Sequence, residues 1–496
     1  LTELSPFPLP FSAHHHYGTP RTLRELQMMR CSAHIRSKPQ WFVKRNDADV
    51  VARWTREAVE QGLTEAQTRY VLAELARYAE LRDERTGIEV SAVDGVWHSD
   101  TLVEDELRSR LREAVRVLEE VPEEEKDWHP GSDGQVLDLV HPSLFCLVRD
   151  VSGAPERAWQ RPDTVWGQKY EFSERFQWLP TDVEVGDEGE VTFRSYVNNV
   201  HPVEHRELAS VLPELFARVR PLFEKVLTDL RGPEILRIEA DPYTWYDASE
   251  PARPESDDPQ AFAAWREAMD AWYDNRRPDV PDAPEYVPPA APDETERVDL
   301  RGRDLQVIVK LATIHLTPEK PEYAGGSWHV EGMENERIVS TCLYYWDSEN
   351  ITESRLSFRT ALDEPEDYQQ SDDDGMNEVY GLENQSPLNQ VLGAAPTPAG
   401  RCLAFPNVLQ HRVAPFALED PTRPGHRKIL AFFLVDPSRR IVSTSDVPPQ
   451  QPWADTSTMT LEQAKQYREE LMKERKFFVD EHNQQIYERE FSLCEH

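Results

Sequence analysis

The segment from Leu300 to Val447 restricts the fold more than any other part of the chain. Eight apolar runs follow one another there: LQVIVKLATIHL, GSWHVEG, RIVSTCLYYW, RLSFRTAL, GRCLAFPN, HRVAPF, KILAFFLVD and RIVSTS. Turn-rich or acidic stretches separate them, and β-branched and aromatic residues dominate most of them, so each is a strand candidate. Eight such strands in one block predict a jelly roll or barrel.

Helical patterns flank this block. Between Asp47 and Glu120, apolar residues recur at spacings of three and four, as in Val59, Leu63, Ala66 and Tyr70, or Leu107, Leu111, Val115 and Leu118. Residues 1–135 therefore read as an N-terminal arm followed by a helical region. The three consecutive histidines His14 to His16 fall in the arm and read as irregular surface. Residues 136–249 mix β-like pieces with one apolar stripe, Leu208, Val211, Leu212, Leu215, Val219, Leu222 and Val226. That stripe predicts a helix over about 204–230, kinked or divided at Pro213 and Pro221. A Pro- and Asp-rich insertion spans 250–297 around one short helix, the strand block fills 298–450, and a charged helix lies within 451–496. The fold class is α+β.

Charge narrows the partners. The chain has 496 residues and a formal net charge of −36, which disfavours nucleic acid and anionic membrane surfaces. No apolar run reaches the roughly 18 residues of a membrane span. No basic region followed by an apolar stretch marks secretion, and Cys31, Cys146, Cys342, Cys402 and Cys494 are scattered without CxxC spacing. A cytoplasmic protein with reduced thiols and no structural zinc is expected. The pattern leaves the oligomeric state open.

The first residues with chemical content are His329 and Glu331 in GGSWHVEGM. On a strand they project to one face, so an imidazole nitrogen and a carboxylate oxygen can converge on one ion. His411, in AFPNVLQHRVAPF, lies at the junction of two strand candidates. Two histidines and one carboxylate form a facial triad, which holds Fe(II) on one side and leaves positions open on the other. Arg427, in PGHRKILAFFLVDP, heads an apolar strand and could pair in bidentate fashion with the far carboxylate of a diacid chelated at the metal.

HxE, then His in HRVAP, then Arg in GHR is similar to the iron(II)/2-oxoglutarate-dependent oxygenase superfamily, and particularly to its prolyl-hydroxylase branch. The strings SYVNNVHP, GGSWHVEGM, YYWDSENIT, RCLAFPNVLQHRVAPF and GHRKILAFFLVDP further resemble a large, mainly fungal family catalogued as a domain of unknown function. The resemblance covers nearly the whole chain. It implies a double-stranded β-helix (jelly-roll, cupin-like) core, with His329 and Glu331 on its second strand, His411 on the seventh and Arg427 on the eighth. It implies Fe(II) held by His329, Glu331 and His411, 2-oxoglutarate anchored by Arg427, and ascorbate as a reductant. Molecular oxygen and a small polar substrate, such as a free amino acid or a secondary-metabolism intermediate, would be the other reactants, with succinate and CO2 released. Most superfamily members carry HxD; HxE occurs in the JmjC branch.

Tyr344 and Tyr345 follow the HxE pair, where related enzymes place a hydroxyl against 2-oxoglutarate, and strand alternation sends one of them inward. Tyr196, Asn198, Trp328 and Arg337 are candidate substrate contacts, each with a structural role as the alternative. Trp328 and Met333 would form an apolar wall. His201 and His205 read as structural at a helix start, His426 faces away from Arg427, and His315 reads as a buried neutral histidine. The loop from Asp363 to Gln385 is a solvated loop or a lid. Two other functions remain open: a protein or peptide hydroxylase or demethylase of the same chemistry, and a non-catalytic cupin-like binding protein.

Overall fold

Alternation along the long apolar runs sets the architecture of the chain, seen in a computed structural model that describes residues 4–11, 17–161, 169–255, 258–290 and 296–492. His14 to His16 and Cys494 lie outside the described residues. The principal strands are β1 (Glu89–Val90), β2 (Trp97–Ser99), β3 (Val136–Val140), β4 (Thr181–Val185), β5 (Val191–Phe193), β6 (Arg303–Leu316), β7 (Ile338–Glu349), β8 (Arg355–Ala361), β9 (Asn389–Pro396), β10 (Cys402–Pro406), β11 (Gln410–Val413) and β12 (Gly425–Val435). A nine-stranded sheet runs in the order β1-β2-β10-β7-β12-β6-β4-β5, with β3 also paired to β6, and a three-stranded sheet runs β9-β8-β11. All these pairings are antiparallel.

The large sheet is buried on both faces. Leu430, Phe432 and Leu434 of β12 pack in one core with the helix Arg206–Asp229, where the rings of Phe216 and Phe432 lie 5.5 Å apart. On the opposite face Ile429 joins Tyr345, Leu403 and Phe405, which meet Leu356, Phe358 and Leu392 of the small sheet. Ala431, Phe433 and Val435, further along that face, are covered by Ala464 and Leu471 of the C-terminal helix Leu461–His482. The result is an α+β fold with a jelly-roll-like core, helices on its flanks, and the space between the two sheets lined by both. No helix among the described residues is long and apolar enough to cross a membrane.

Some local expectations are corrected. Arg206–Asp229 is one continuous helix despite Pro213 and Pro221. Each proline costs about 3 kcal/mol, but ten apolar side chains are buried along it, and each contributes roughly 1.5–3 kcal/mol. GSWHVEG is not a strand: His329 forms a single bridge to His411. Turns at Gly325 and Gly332, with φ of 90° and 72°, bend the segment at both ends. At Gly325 a Cβ would also lie 2.7 Å from the Val413 carbonyl, so only glycine fits there. RIVSTS forms no strand either, because β4 already occupies the edge of β6 at Arg303–Val307. Conversely β9, with its small and polar residues, is a strand because β8 pairs with it along its length. The loop 363–385 is not solvated throughout. It contains a helix, Asp373–Tyr380, whose Met376 and Val379 pack against Trp245 and Tyr246. The insertion docks on the N-terminal helices, where Asp282 accepts hydrogen bonds from Thr64 and Gln67.

Candidate metal centre

His411 lies on β11 directly opposite Phe358 of β8, and its backbone exchanges two hydrogen bonds with His329, of 3.0 and 3.2 Å. This bridge brings two imidazoles 82 positions apart to ring centroids 4.4 Å from each other. Glu331 enters from the turn that follows. Asn407, at the end of β10, accepts a hydrogen bond from the Glu331 amide at 2.8 Å and donates to the Glu331 and Ile338 carbonyls at 2.9 Å each. Asn407 thus fixes the backbone from which the carboxylate projects.

The ligand atoms of His329, Glu331 and His411 all lie within 4.8 Å of one another, with His411 Nε2 3.3 Å and His329 Nε2 3.9 Å from Glu331 Oε1. His329 Nδ1 is 2.8 Å from the Ser327 carbonyl, which places its proton on Nδ1 and leaves the Nε2 lone pair facing the carboxylate. Burial alone would raise the Glu331 pKa, but the hydrogen bond to His411 and the charges of His329, His411 and Lys310 outweigh it and hold it near about 2. Burial, with His411 adding to it, pulls His329 down to about 4. At neutral pH the site therefore presents a carboxylate and a neutral imidazole, the forms that bind a metal. Two imidazoles and one carboxylate on one side suit Fe(II) or another divalent first-row ion.

Arg427 sits on the same sheet face as Ile429 and is fully buried. Its guanidinium carbon lies 4.6 Å from the Tyr345 ring and 5.7 Å from that of Phe416, and it donates a hydrogen bond to Thr397 Oγ1 at 3.2 Å. Nε and one terminal nitrogen have no partner. Burial pulls its pKa below the ordinary guanidinium value, and the groups that oppose this are Tyr345 and Tyr323, with no carboxylate among them.

Of the two tyrosines, Tyr345 faces Arg427, and its hydroxyl is buried beside the guanidinium. Tyr344 is corrected: it belongs to the core shared with Arg206–Asp229, on the opposite face of the sheet. The proposed substrate contacts are not gathered at the triad. Asn198 donates to the Leu144 and Phe145 carbonyls and accepts from Gln451. Tyr196 is held at its carbonyl by Thr444. Arg337 faces Asp436 at 3.7 Å from a left-handed turn. Trp328 is stacked between the guanidinium groups of Arg359 and Arg412, and Arg412 alternates with His411, so the indole covers the outer face of the small sheet. Met333 is a core residue. His201 and His205 organise the turn before Arg206–Asp229, His426 pairs with Asp347 at 3.1 Å, and burial lowers His315 to about 4, all as expected.

A second cluster, His129, Asp138 and His141, also brings its ligand atoms within 4.8 Å. It is the weaker metal candidate. His129 Nδ1 is hydrogen-bonded to Asp138 at 2.8 Å, and His141 Nδ1 accepts the Ser143 amide at 3.2 Å. In addition Lys310 and Arg468 already place positive charge against His141. A cavity of about 960 Å³ beyond Thr397 is lined by basic groups, but Arg401 is committed to Asp100, Arg36 to the Val90 and Ser91 carbonyls, and Arg82 to Glu89.

Sequence reasoning missed Asn407 and Lys310. Each had a faint signal: a polar residue closing the apolar run RCLAFPN, and a single charge interrupting LQVIVKLATIHL.

A family model described as "Protein of unknown function (DUF4246)" matches residues 65–457, and a second, described as "Domain of unknown function DUF4246, N-terminal", matches residues 2–57. No curated protein matches the chain. Among solved structures, the chain is similar to IDO from Bacillus thuringiensis, at 13% identity over 27% of this chain and 47% of that one, with a TM-score of 0.18. It is also similar to the Fe(II)/(alpha)ketoglutarate-dependent dioxygenase TqaL, at 10% identity over 68% and 93%, with a TM-score of 0.25. A third is the dioxygenase for auxin oxidation in rice, at 12% identity over 82% and 92%, with a TM-score of 0.24. The match spans about half the length of the Bacillus thuringiensis protein.

Proposed function

The chain belongs to the DUF4246 family, and from its site we propose that it is an Fe(II)- and 2-oxoglutarate-dependent oxygenase. It oxidises a C–H bond of a small polar molecule, such as a free amino acid or a secondary-metabolism intermediate, and releases succinate and CO2. The observation that carries this reading is Arg427. A fully buried guanidinium with two unpartnered nitrogens and no facing carboxylate is costly in a protein interior. A carboxylate-bearing ligand supplies the missing charge. The distal carboxylate of a dicarboxylic 2-oxo acid would do so while its other end reaches the His329, Glu331 and His411 side.

The donor set fits the metal, and Arg427 with Tyr345 fits the cosubstrate. When bound, iron and 2-oxoglutarate supply an oxidant able to break a C–H bond. The chain's own residues set the conditions. His329 presents a neutral nitrogen with the His411 imidazole beside it, Glu331 offsets one positive charge, and Asn407 holds the Glu331 backbone in place. Arg427 orients the cosubstrate by a charge-assisted pair, with Tyr345 as a further hydrogen-bond partner. Phe358, Phe405 and Leu403 pack around the inner side and exclude water. Ascorbate would serve only to restore reduced metal.

The test is anaerobic binding of Fe(II) and 2-oxoglutarate, followed by oxygen-dependent succinate formation. Wild type binds both and forms succinate, slowly even without substrate. His411→Ala loses the metal and Arg427→Met loses 2-oxoglutarate. Metal binding that survives His411→Ala, or 2-oxoglutarate binding that survives Arg427→Met, overturns the assignment.

A further inference from the structure

β6 and β12 pair without a register shift, so Arg427 lies opposite Ile314 and Ala431 opposite Lys310. Directly opposed residues in an antiparallel pair share a face, and residues two apart on a strand return to it. Lys310 therefore projects from the same face as Arg427 and Ile429, four residues further along, a separation of about 13 Å. Two cations thus stand on one face of the large sheet, four residues apart along it.

Their surroundings differ. Arg427 is enclosed by Tyr345, Phe416 and Thr397, and none of the metal ligands is among the groups that act most strongly on it. Lys310 is half-buried and belongs to the triad's end: its charge acts on Glu331 and His329, and from the other side on Asp138 and His141. Asp138, opposite Ala312, shares its face, yet it is engaged by His129 and makes no ion pair with Lys310. Among the described residues no acceptor takes a hydrogen bond from the Lys310 ammonium and no carboxylate pairs with it. An ammonium left free beside a metal site, between the apolar residues Val309 and Leu311, is placed to hold an anion.

We propose that the substrate carries a carboxylate, and that Lys310 binds it on the side of the metal opposite Arg427. One ammonium matches one negative charge. The inference rests on the oxygenase reading, because it assigns Arg427 to the cosubstrate and leaves Lys310 for the substrate.

The test uses the full chain loaded anaerobically with Co(II) and the unreactive 2-oxoglutarate analogue N-oxalylglycine. It is titrated with matched pairs of compounds that differ only in carboxylate against carboxamide, and binding is followed by thermal shift and by the cobalt absorption bands. Acids are expected to bind and their amides not to. Lys310→Met should weaken the acids by about tenfold to a hundredfold, the range of a charged hydrogen bond, and Lys310→Arg should restore most of the affinity. N-oxalylglycine affinity should be unchanged in Lys310→Met. Equal binding of acids and amides, no acid binding at all, or acid affinity indifferent to Lys310→Met overturns the proposal. Cobalt bands that survive His411→Ala, or N-oxalylglycine affinity indifferent to Arg427→Met, instead overturn the oxygenase reading, so the two failures are distinct.

Discussion

Replacing Arg427 by Met should have opposite consequences in the free and the ligand-bound protein. In the free protein the guanidinium is fully buried, with one hydrogen bond to Thr397 and two aromatic neighbours. The hydrogen bond contributes about 1.5–3 kcal/mol and each ring roughly 0.5–2 kcal/mol. Against these stands the cost of burying a charge without a counter-ion, several kcal/mol even after relaxation. Met retains much of the volume and none of the charge. The terms nearly cancel, with the desolvation term ahead, so Arg427→Met should be as stable as wild type or more stable by up to about 2 kcal/mol. With 496 residues and about 2.1 cal/mol/K per residue, that is a rise of about 2 °C at most. The ligand reverses the order: at a hundred times its Kd, 2-oxoglutarate stabilises the protein that binds it by about 2.7 kcal/mol, or roughly 3 °C. Wild type should show that shift and Arg427→Met none. Thermal unfolding of both proteins, with Co(II) present and with or without 2-oxoglutarate, measures all four values. A loss of 3–5 kcal/mol in unliganded Arg427→Met, as when one partner of a buried ion pair is removed, would refute the reasoning, because the arginine would then be a structural partner and not a waiting anchor.

Asn407→Ala removes three hydrogen bonds that hold Glu331 and Ile338; it should cost about 3 kcal/mol in chemical unfolding and weaken Co(II) binding by about tenfold to a hundredfold, and unchanged metal affinity would remove its supporting role. Tyr345→Phe should weaken N-oxalylglycine by about tenfold, whereas Tyr344→Phe, on the opposite face, should leave it unchanged; equal effects by calorimetry would contradict the assignment of faces. Burial raises the Asp229 pKa to about 6 despite its hydrogen bond from Trp97. A carboxyl raised in the folded state stabilises below its unfolded value and loses that contribution as pH rises through the folded one. Asp229→Asn should therefore be more stable than wild type at pH 8 by up to about 3 kcal/mol, with the advantage fading toward pH 4; denaturant melts at the two pH values check the sign.

The parts of the site legible in the sequence are those fixed by strand alternation. On β12 the order His426, Arg427, Lys428 already puts the arginine on one face and its neighbours on the other, and the structure keeps that division, with His426 on Asp347 and Lys428 on Glu119. The same rule separates Tyr345 from Tyr344, although alternation alone does not say which is inward. The HxE pair converges for a different reason from the one its spacing suggests. His329 is held by a single bridge and Glu331 by a turn and Asn407, so long-range contacts and not a local strand bring the ligands together. The sequence leaves Asn198 and Trp328 open between two roles because polar and aromatic residues near a motif look alike whether they face a substrate or satisfy backbone carbonyls and stack on arginines. Only tertiary contacts distinguish these cases. β9 was invisible because NQVLGAAP carries little intrinsic strand preference and is ordered by its partner.

The net charge of −36 and a site that gathers anions are compatible because the two fields have different ranges. Surface carboxylates act on an approaching anion through salt solution, where charges are screened beyond about 8 Å at physiological ionic strength. Arg427 is fully buried and Lys310 half-buried, so their charges act through a medium of lower effective dielectric, where the same Coulomb interaction is several times stronger. An anion entering the space between the sheets would therefore be governed by these cations, whatever the surface carries. Separation along the sheet then matters more than the number of charges. About 13 Å between the two rows would give a dicarboxylate at Arg427 and a carboxylate at Lys310 distinct positions. Three donors close together, with two cations on one sheet face, would make a site that holds two anions apart while presenting both to one metal.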